Sequence, residues 1–139
     1  MIGSILTGKK PLVSVTRQTT ISDIAALLHA NRIGAVLVVE DGVILGLVSE
    51  RDICAGLHTH GVGILTALAQ DIMSAPVVTT PPTTTVIEAL AIMTDRRFRH
   101  LPVMAAGQIL GLVSIGDLVK ARIEQADAEA EALKHYIAS

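Results

Sequence analysis

Ile44-Leu45-Gly46-Leu47-Val48-Ser49-Glu50-Arg51-Asp52 decides how this chain folds, because it occurs twice. Sixty-five positions later the chain reads Ile109-Leu110-Gly111-Leu112-Val113-Ser114-Ile115-Gly116-Asp117, with seven of nine residues identical, and Gly42 is matched by Gly107. A fixed offset of this kind marks two copies of one structural unit. Each copy runs from an apolar, β-rich stretch through a Gly to a hydroxyl three residues before a carboxylate. Ser-x-x-Asp after a strand is a helix start, in which the side-chain oxygens satisfy amides of the first turn. The same pair of groups can also hold a ligand, so both readings stand at this point.

Working outward, residues 35–39 form an apolar run, Glu40-Asp41-Gly42 is turn sequence and residues 43–48 return as the second strand of a hairpin. Upstream, residues 11–15 alternate as a short strand. Thr19-Thr20-Ile21-Ser22-Asp23 caps a helix from about Ser22 to Asn31, with Ile24, Leu27 and Leu28 at helical spacing. Ser49 opens a helix to about Leu57. The second copy repeats the order, with a strand at 77–79, a helix at 86–94, hairpin strands at 101–104 and 108–113, and a helix from Ser114. Each copy reads β-α-β-β-α, an α/β (α+β) class whose strands are apolar enough to be covered on both faces. The division expected is repeat 1 with an N-terminal arm at 1–60, a connecting segment at 61–72, repeat 2 at 73–120 and a helical extension at 121–139. Residues 65–72 are read as one connecting helix.

Composition narrows the function. The chain has 139 residues, half of them apolar, with one Phe, one Tyr and no Trp. Eleven basic and thirteen acidic residues give a net charge of −2, so there is neither a nucleic-acid nor a membrane footprint. One Phe and one Tyr provide no platform for stacking bases. Residues 54–70 are too polar to span a bilayer. The lone Cys54 excludes an intrachain disulfide and fits a reducing compartment, and the N-terminus lacks the pattern of a signal peptide, so a cytoplasmic protein is expected. No Walker glycine loop, HExxH or Ser-His-Asp order is present, and no enzyme is read here.

Two further patterns have alternative readings. Cys54 and His58 share a helix face, with His60 just beyond its end, a soft donor set that lacks a fourth ligand. The alternative is a buried thiol with helix-end histidines favoured by the dipole, and no metal site is assigned. In the last helix Val119, Ile123, Ala126, Ala130, Leu133 and Ile137 recur at 4-3-4-3-4 spacing, a heptad seam with Glu124, Glu129, Glu131 and Lys134 off it. Such a stripe either lies on its own domain or pairs as a coiled coil. Gly46 and Gly111 either permit close packing or make room for a ligand, and Lys9 and Lys10 are either solvated or reach a phosphate.

Two repeats of this order, each ending in Gly-Leu-Val-Ser-x-x-Asp, resemble the cystathionine-β-synthase (CBS) domain, and the pair resembles a Bateman module. Arg97-Phe98-Arg99-His100-Leu101-Pro102-Val103 is similar to the family's approach to its first hairpin strand. Gln70-Asp71-Ile72-Met73-Ser74 before Pro76-Val77-Val78 is similar to its linker. The resemblance runs from about Ile5 to Lys120 and is to small bacterial stand-alone two-CBS proteins.

It implies tandem repeats related by pseudo-two-fold symmetry, a regulatory role, and AMP, ADP, ATP, NAD or S-adenosylmethionine held in clefts between the repeats, with no cofactor. It further implies that Asp52 and Asp117 accept the ribose hydroxyls and that Ser49 and Ser114 bond ribose or phosphate. Arg51 or Gly116 would meet phosphate, Ile33-Gly34-Ala35 and Phe98-Arg99 would hold the adenine edge, and Arg99 and His100 would neutralise phosphate. Clefts of the family mix both repeats, which puts Asp117 with an adenine on Ile33-Gly34 and Asp52 at the mirror site. A homodimer and a downstream protein partner are implied too; the alternative is a dimeric scaffold with vestigial clefts. The physics agrees, since a carboxylate makes charge-assisted bonds to hydroxyls and a helix N-terminus favours phosphate. Gly34-Ala35 in one copy stands where Arg99-His100 stands in the other, and Arg51 where Gly116 stands. The stronger phosphate site is therefore expected at Asp117, Ser114, Arg99 and His100.

Overall fold

The computed structural model describes residues 1–138. In chain order its elements are α1 (Gly3–Thr7), β1 (Ser14–Val15), α2 (Ile21–Asn31), β2 (Ala35–Glu40), β3 (Val43–Ser49), α3 (Glu50–His60), a 3-10 helix (Gly61–Thr66), α4 (Ala69–Ile72), α5 (Val86–Arg96), β4 (His100–Ala105), β5 (Gln108–Ser114) and α6 (Ile115–Ala138). They sort into two units, one of Pro11–Val78 and one of Met1–Lys10 with the chain from Thr79 onward.

In the Pro11–Val78 unit, β1 lies parallel to β2 and β2 antiparallel to β3, a sheet ordered β1-β2-β3. The hairpin turns through Asp41 (φ 51°) and Gly42 (φ 74°), both left-handed, the geometry that matches the twist of a two-residue connection. Thr20 Oγ1 accepts the Asp23 N–H and starts α2. The helix turns Ile21, Ile24 and Leu28 onto Val15, Val36, Val38, Val48, Ile53 and Ala69, and these form the core.

Residues 65–72 are not one helix. The 3-10 helix stops at Thr66, Ala67 and Leu68 are extended, and α4 begins at Ala69. Neighbouring backbone competes for the groups a continuous helix would use: Ile21 N–H donates to Ala67 O (2.9 Å), and Ala69 N–H donates to Thr19 O (2.8 Å).

The other unit repeats the hairpin as β4 and β5, with Ala106 (φ 50°) and Gly107 (φ 75°) at the turn. A register slip at Val103/Met104 matches the one at Val38/Val39. The strand expected at 77–79 is absent. Its place is taken by Thr80 alone, which bridges Val103 in parallel and bonds Pro102 O and Met104 N–H at 3.0 Å each. Pro81 and Pro82 follow at once, and without N–H groups they cannot extend a ladder. Val86, Ala89, Met93, Leu101, Val103, Val113 and Leu118 are buried.

The arm belongs to this second unit. Ile2 is fully buried, its N–H donating to Thr84 O at 2.8 Å, and Gly3 N–H reaches Pro82 O at 3.0 Å. The segments that precede the two repeats thus do matching work on opposite hairpins. Leu6 lies over Gly111 of β5, and Met73 lies over Gly46 of β3.

Candidate functional site

Each unit carries the same joint where its hairpin enters the next helix. Asp52 N–H donates to Ser49 Oγ at 3.2 Å, and Ser49 N–H donates to Asp52 Oδ2 at 2.9 Å. Ser114 and Asp117 repeat the reciprocal pair at 3.1 and 2.9 Å. Both are capping boxes with Asp as the acidic member. The start of the neighbouring strand is tied to the same turn, Glu50 N–H donating to Gly34 O (2.9 Å) and Ile115 N–H to Arg99 O (2.8 Å). Ala35 lies opposite Ser49 in the ladder, and His100 lies opposite Ser114. The site residues read from sequence therefore gather at one end of each hairpin. Ile33, Gly34 and Ala35 join Ser49, Arg51 and Asp52; Phe98, Arg99 and His100 join Ser114, Gly116 and Asp117.

This joint also limits what the helix start can offer an anion. The first and third amides of α6 are committed to Arg99 O and Ser114 Oγ, which leaves Gly116 N–H in the first turn. An added Cβ at Gly116 would meet nothing closer than Ser114 Oγ at 3.6 Å, so packing does not require glycine there. Most neutralisation of a phosphate would have to come from side chains. Arg51 and Arg99 are exposed at the two joints.

A third contact separates the two carboxylates. Asp52 is satisfied on both oxygens, Ser49 Oγ donating to Oδ2 at 3.0 Å and Ser74 Oγ to Oδ1 at 3.0 Å. At Asp117 both donors take Oδ2: the Ser114 N–H and the Lys9 ammonium, which also donates to Leu112 O at 2.8 Å. Among the described residues no hydrogen bond reaches Asp117 Oδ1. Burial raises the Asp117 carboxyl, but the Lys9 and Ser114 hydrogen bonds and the Lys9 charge outweigh it and hold the group below its ordinary 3.8. Asp117 is therefore ionised throughout the neutral range.

Sequence reasoning missed Ser74 and Arg32, and it left Lys9 open between solvent and a phosphate. Ser74 and Lys9 reach the carboxylates from segments distant in the chain. Arg32 ends α2 in the left-handed conformation (φ 53°), as Arg97 ends α5 (φ 58°), immediately before Ile33-Gly34-Ala35 and Phe98-Arg99. Arg32 also lines a cleft of about 650 Å³ with Leu28, His29, Ala30, Ile33, Gly34 and Glu50. The identity of Arg32 and Arg97 at the 65-residue offset was the available signal.

The glycines of the repeated motif are packing residues. A Cβ at Gly46 would sit 2.5 Å from Met73 Sδ and 3.0 Å from Ser74 O, and one at Gly111 would sit 2.8 Å from Leu6 Cδ2. Cys54 is exposed, not a buried thiol, and His60 closes α3 instead of following it. Among the described residues no group of three or more His, Cys, Asp or Glu is placed to hold a metal ion. No helix among them is long and apolar enough to cross a membrane.

Comparison with known proteins agrees with this repeated joint. The family model for the CBS domain matches residues 2–59 and 69–124. The CBS domain-containing protein CBSX3, mitochondrial, of Arabidopsis thaliana is 32% identical over 127 residues, covering 88% of this chain and 62% of the relative. The chain thus spans less than two thirds of that relative. The crystal structure of the CBS-domain containing protein ATU1752 from Agrobacterium tumefaciens superposes with a TM-score of 0.83 at 37% identity, over 87% of this chain and 98% of the other. The CBS domain protein PAE2072 from Pyrobaculum aerophilum, solved in complex with AMP, gives a TM-score of 0.73 at 28% identity, covering 84% and 88%.

Proposed function

This chain belongs to the CBS-domain family, and on that premise we propose that it is a regulatory module, not an enzyme, that binds an adenosine-type ligand such as AMP, ATP or NAD. The Pyrobaculum relative with AMP supports the ligand class. The observation that carries the reading is Asp117, an ionised carboxylate with Oδ1 available at a helix start and a lysine ammonium on Oδ2. A vicinal diol donates to such a carboxylate through charge-assisted bonds. Lys9, Arg99 and Gly116 N–H supply positive potential for what the sugar carries. Ser114 positions the carboxylate by capping, and Phe98, Arg99 and His100 border it for the base or phosphate. The Asp52 joint is the weaker partner, because Ser49 and Ser74 already satisfy its oxygens. Ligand binding regulates by favouring one arrangement of the protein over another, which requires a difference in affinity between the two. In this reading the protein is cytoplasmic, pairs with a second copy and signals to a downstream protein, with neither nucleic acid nor membrane as a partner.

The test is isothermal titration of AMP into the wild type, Asp117→Ala and Asp52→Ala, each checked for folding by circular dichroism. Asp117→Ala is expected to lose at least tenfold in affinity and Asp52→Ala less, about 1.4 kcal/mol of difference. Equal losses would overturn the assignment to Asp117. A second reading, a dimeric scaffold with vestigial ligand sites, is favoured by the exposed apolar seam of α6. Thermal shift with AMP, ATP, NAD and S-adenosylmethionine separates the two, since ligand at 100 times Kd stabilises by about 2.7 kcal/mol. No shift with any of them leaves the scaffold.

A further inference from the structure

The C-terminal half of α6 is exposed along its described length. From Ile123 to the end of the helix every described residue is exposed, about four turns of helix. An isolated helix of that length is marginal in water. Its apolar residues nevertheless hold one line: Val119 is 45% exposed, Ile123 56%, Leu133 59% and Ile137 75%, with Ala126 and Ala130 between them. With Ile123, Ala130 and Ile137 as heptad a and Val119, Ala126 and Leu133 as d, the flanking e positions are Lys120, Asp127 and Lys134. The g positions include Arg122 and Glu129.

Those flanking charges choose the occupant and its direction. In a parallel, in-register pair, each g residue meets the e residue five positions on in the other helix. Arg122 then faces Asp127 of the second copy, and Glu129 faces Lys134 of the second copy; both pairs are opposite in sign and each occurs twice. In an antiparallel pair e meets e and g meets g. Matching the seam end to end would set Lys120 against Lys134, Asp127 against Asp127 and Glu129 against Glu129, all repulsive. Within one chain Arg122 reaches Glu129 at only 3.8 Å across an exposed face, a pair of little value that exchange would replace. We infer that α6 pairs with α6 of a second copy as a parallel, in-register two-stranded coiled coil over residues 119–137. This deepens the second-copy element of the proposed function by naming its surface and orientation, and it requires no nucleotide. Ala126 and Ala130 keep the buried area small, so the pair is weak and reversible.

Cysteine crosslinking on the full chain tests it. In a Cys54→Ser background, Leu133→Cys places the new thiol opposite its own copy only if the helices are parallel and in register. The Cα separation is then about 6 Å, within disulfide reach. Mild oxidation is expected to give a covalent dimer from Leu133→Cys alone. A dimer obtained only on mixing Ile123→Cys with Leu133→Cys chains would mean antiparallel pairing and overturn the proposal. A chain that is dimeric by light scattering yet gives neither crosslink would place the interface elsewhere, and a monomer at 100 µM would remove the pairing altogether. Either result leaves the nucleotide reading untouched. As an independent arm, Lys134→Glu is expected to weaken the dimer about tenfold, by converting two attractions into two repulsions. Adding Glu129→Lys restores it; a double variant no tighter than the single one counts against the register.

Discussion

Lys9 Nζ lies 2.5 Å from Asp117 Oδ2, and the equivalent carboxylate, Asp52, is met instead by Ser74 Oγ at 3.0 Å. The two segments that carry these groups cross the edges of their hairpins at matching places. Ser74 N–H donates to Leu47 O at 2.8 Å, and Lys9 Nζ donates to Leu112 O at 2.8 Å. The joints are thus built alike and charged differently. A neutral hydroxyl holds one carboxylate, while an ammonium holds the other.

The Lys9–Asp117 pair sets an acid limit. Because the folded protein holds Asp117 below its ordinary 3.8, its contribution is complete above that value and disappears as pH falls through the lower, folded-state value. With side chains 33% and 26% exposed, the pair is screened and contributes less than about 1 kcal/mol. Lys9→Met is expected to flatten the acid side of the stability curve, so that wild type and variant differ at pH 6 and converge as pH falls below 3.8. Urea unfolding across that range checks it, and a difference independent of pH would remove the ion pair as its cause.

Arg99 is expected to distinguish a nucleotide from its nucleoside. It is exposed and needed by no core contact, so Arg99→Ala should leave thermal stability within about 0.5 kcal/mol of wild type. A charge-assisted phosphate contact at a wet site is worth about one decade of affinity. AMP should therefore weaken about tenfold in the variant while adenosine changes less than twofold. Calorimetry with both ligands reads this directly, and equal losses would mean that Arg99 serves the base or the sugar.

The hairpins, their turns and the capping boxes were legible because each is a local pattern repeated at one offset. The ends of the arm and of the linker were not. Leu6 and Met73 are single apolar residues in short segments, and nothing in local periodicity says which strand each will cover. What marked the destination was the notch, Gly46 or Gly111, which sequence left open between packing and ligand. The break at Ala67–Leu68 had no local signal either, since it is set by hydrogen bonds to Thr19 and Ile21. The heptad line of α6 was plain from spacing, but only the structure shows that its second half is exposed. For the site, the clustering of residues 33–35 with 49–52 followed from the hairpin register, whereas Lys9 and Ser74 arrive through long-range contacts that no spacing records.

Filling the two notches separates these contacts by cost. At Gly46 a methyl would meet Met73 Sδ at 2.5 Å and the backbone carbonyl of Ser74 at 3.0 Å, and the backbone cannot step aside. At Gly111 the near neighbour is the end of the Leu6 side chain, which can change rotamer. Gly46→Ala is expected to destabilise by about 2–3 kcal/mol and Gly111→Ala by about 1 kcal/mol or less. Urea midpoints at unchanged m-value measure both. Since Ser74 also holds Asp52, Gly46→Ala should loosen that joint, and equal costs at the two glycines would refute the role given to the Ser74 carbonyl.

The left-handed residues give the last prediction. Ala106 occupies φ 50° at a hairpin turn whose counterpart uses Asp41 at φ 51°. An L-residue there carries about 1 kcal/mol of strain that Asn or Asp relieves through its side chain. Ala106→Asn is therefore expected to stabilise the protein by about 0.5–1 kcal/mol with no effect on nucleotide affinity. Arg32 and Arg97 occupy the same region at the ends of α2 and α5, where glycine is the usual residue. Replacing either with Gly should likewise leave stability equal or higher. If the arginines are kept for binding, however, affinity for AMP falls at the same time, because a cation beside the proposed ligand site has been removed. Measuring unfolding and AMP binding on Ala106→Asn, Arg32→Gly and Arg97→Gly together separates relief of strain from loss of a ligand contact. Unchanged affinity in both arginine variants would show that their positive φ serves the chain reversal alone.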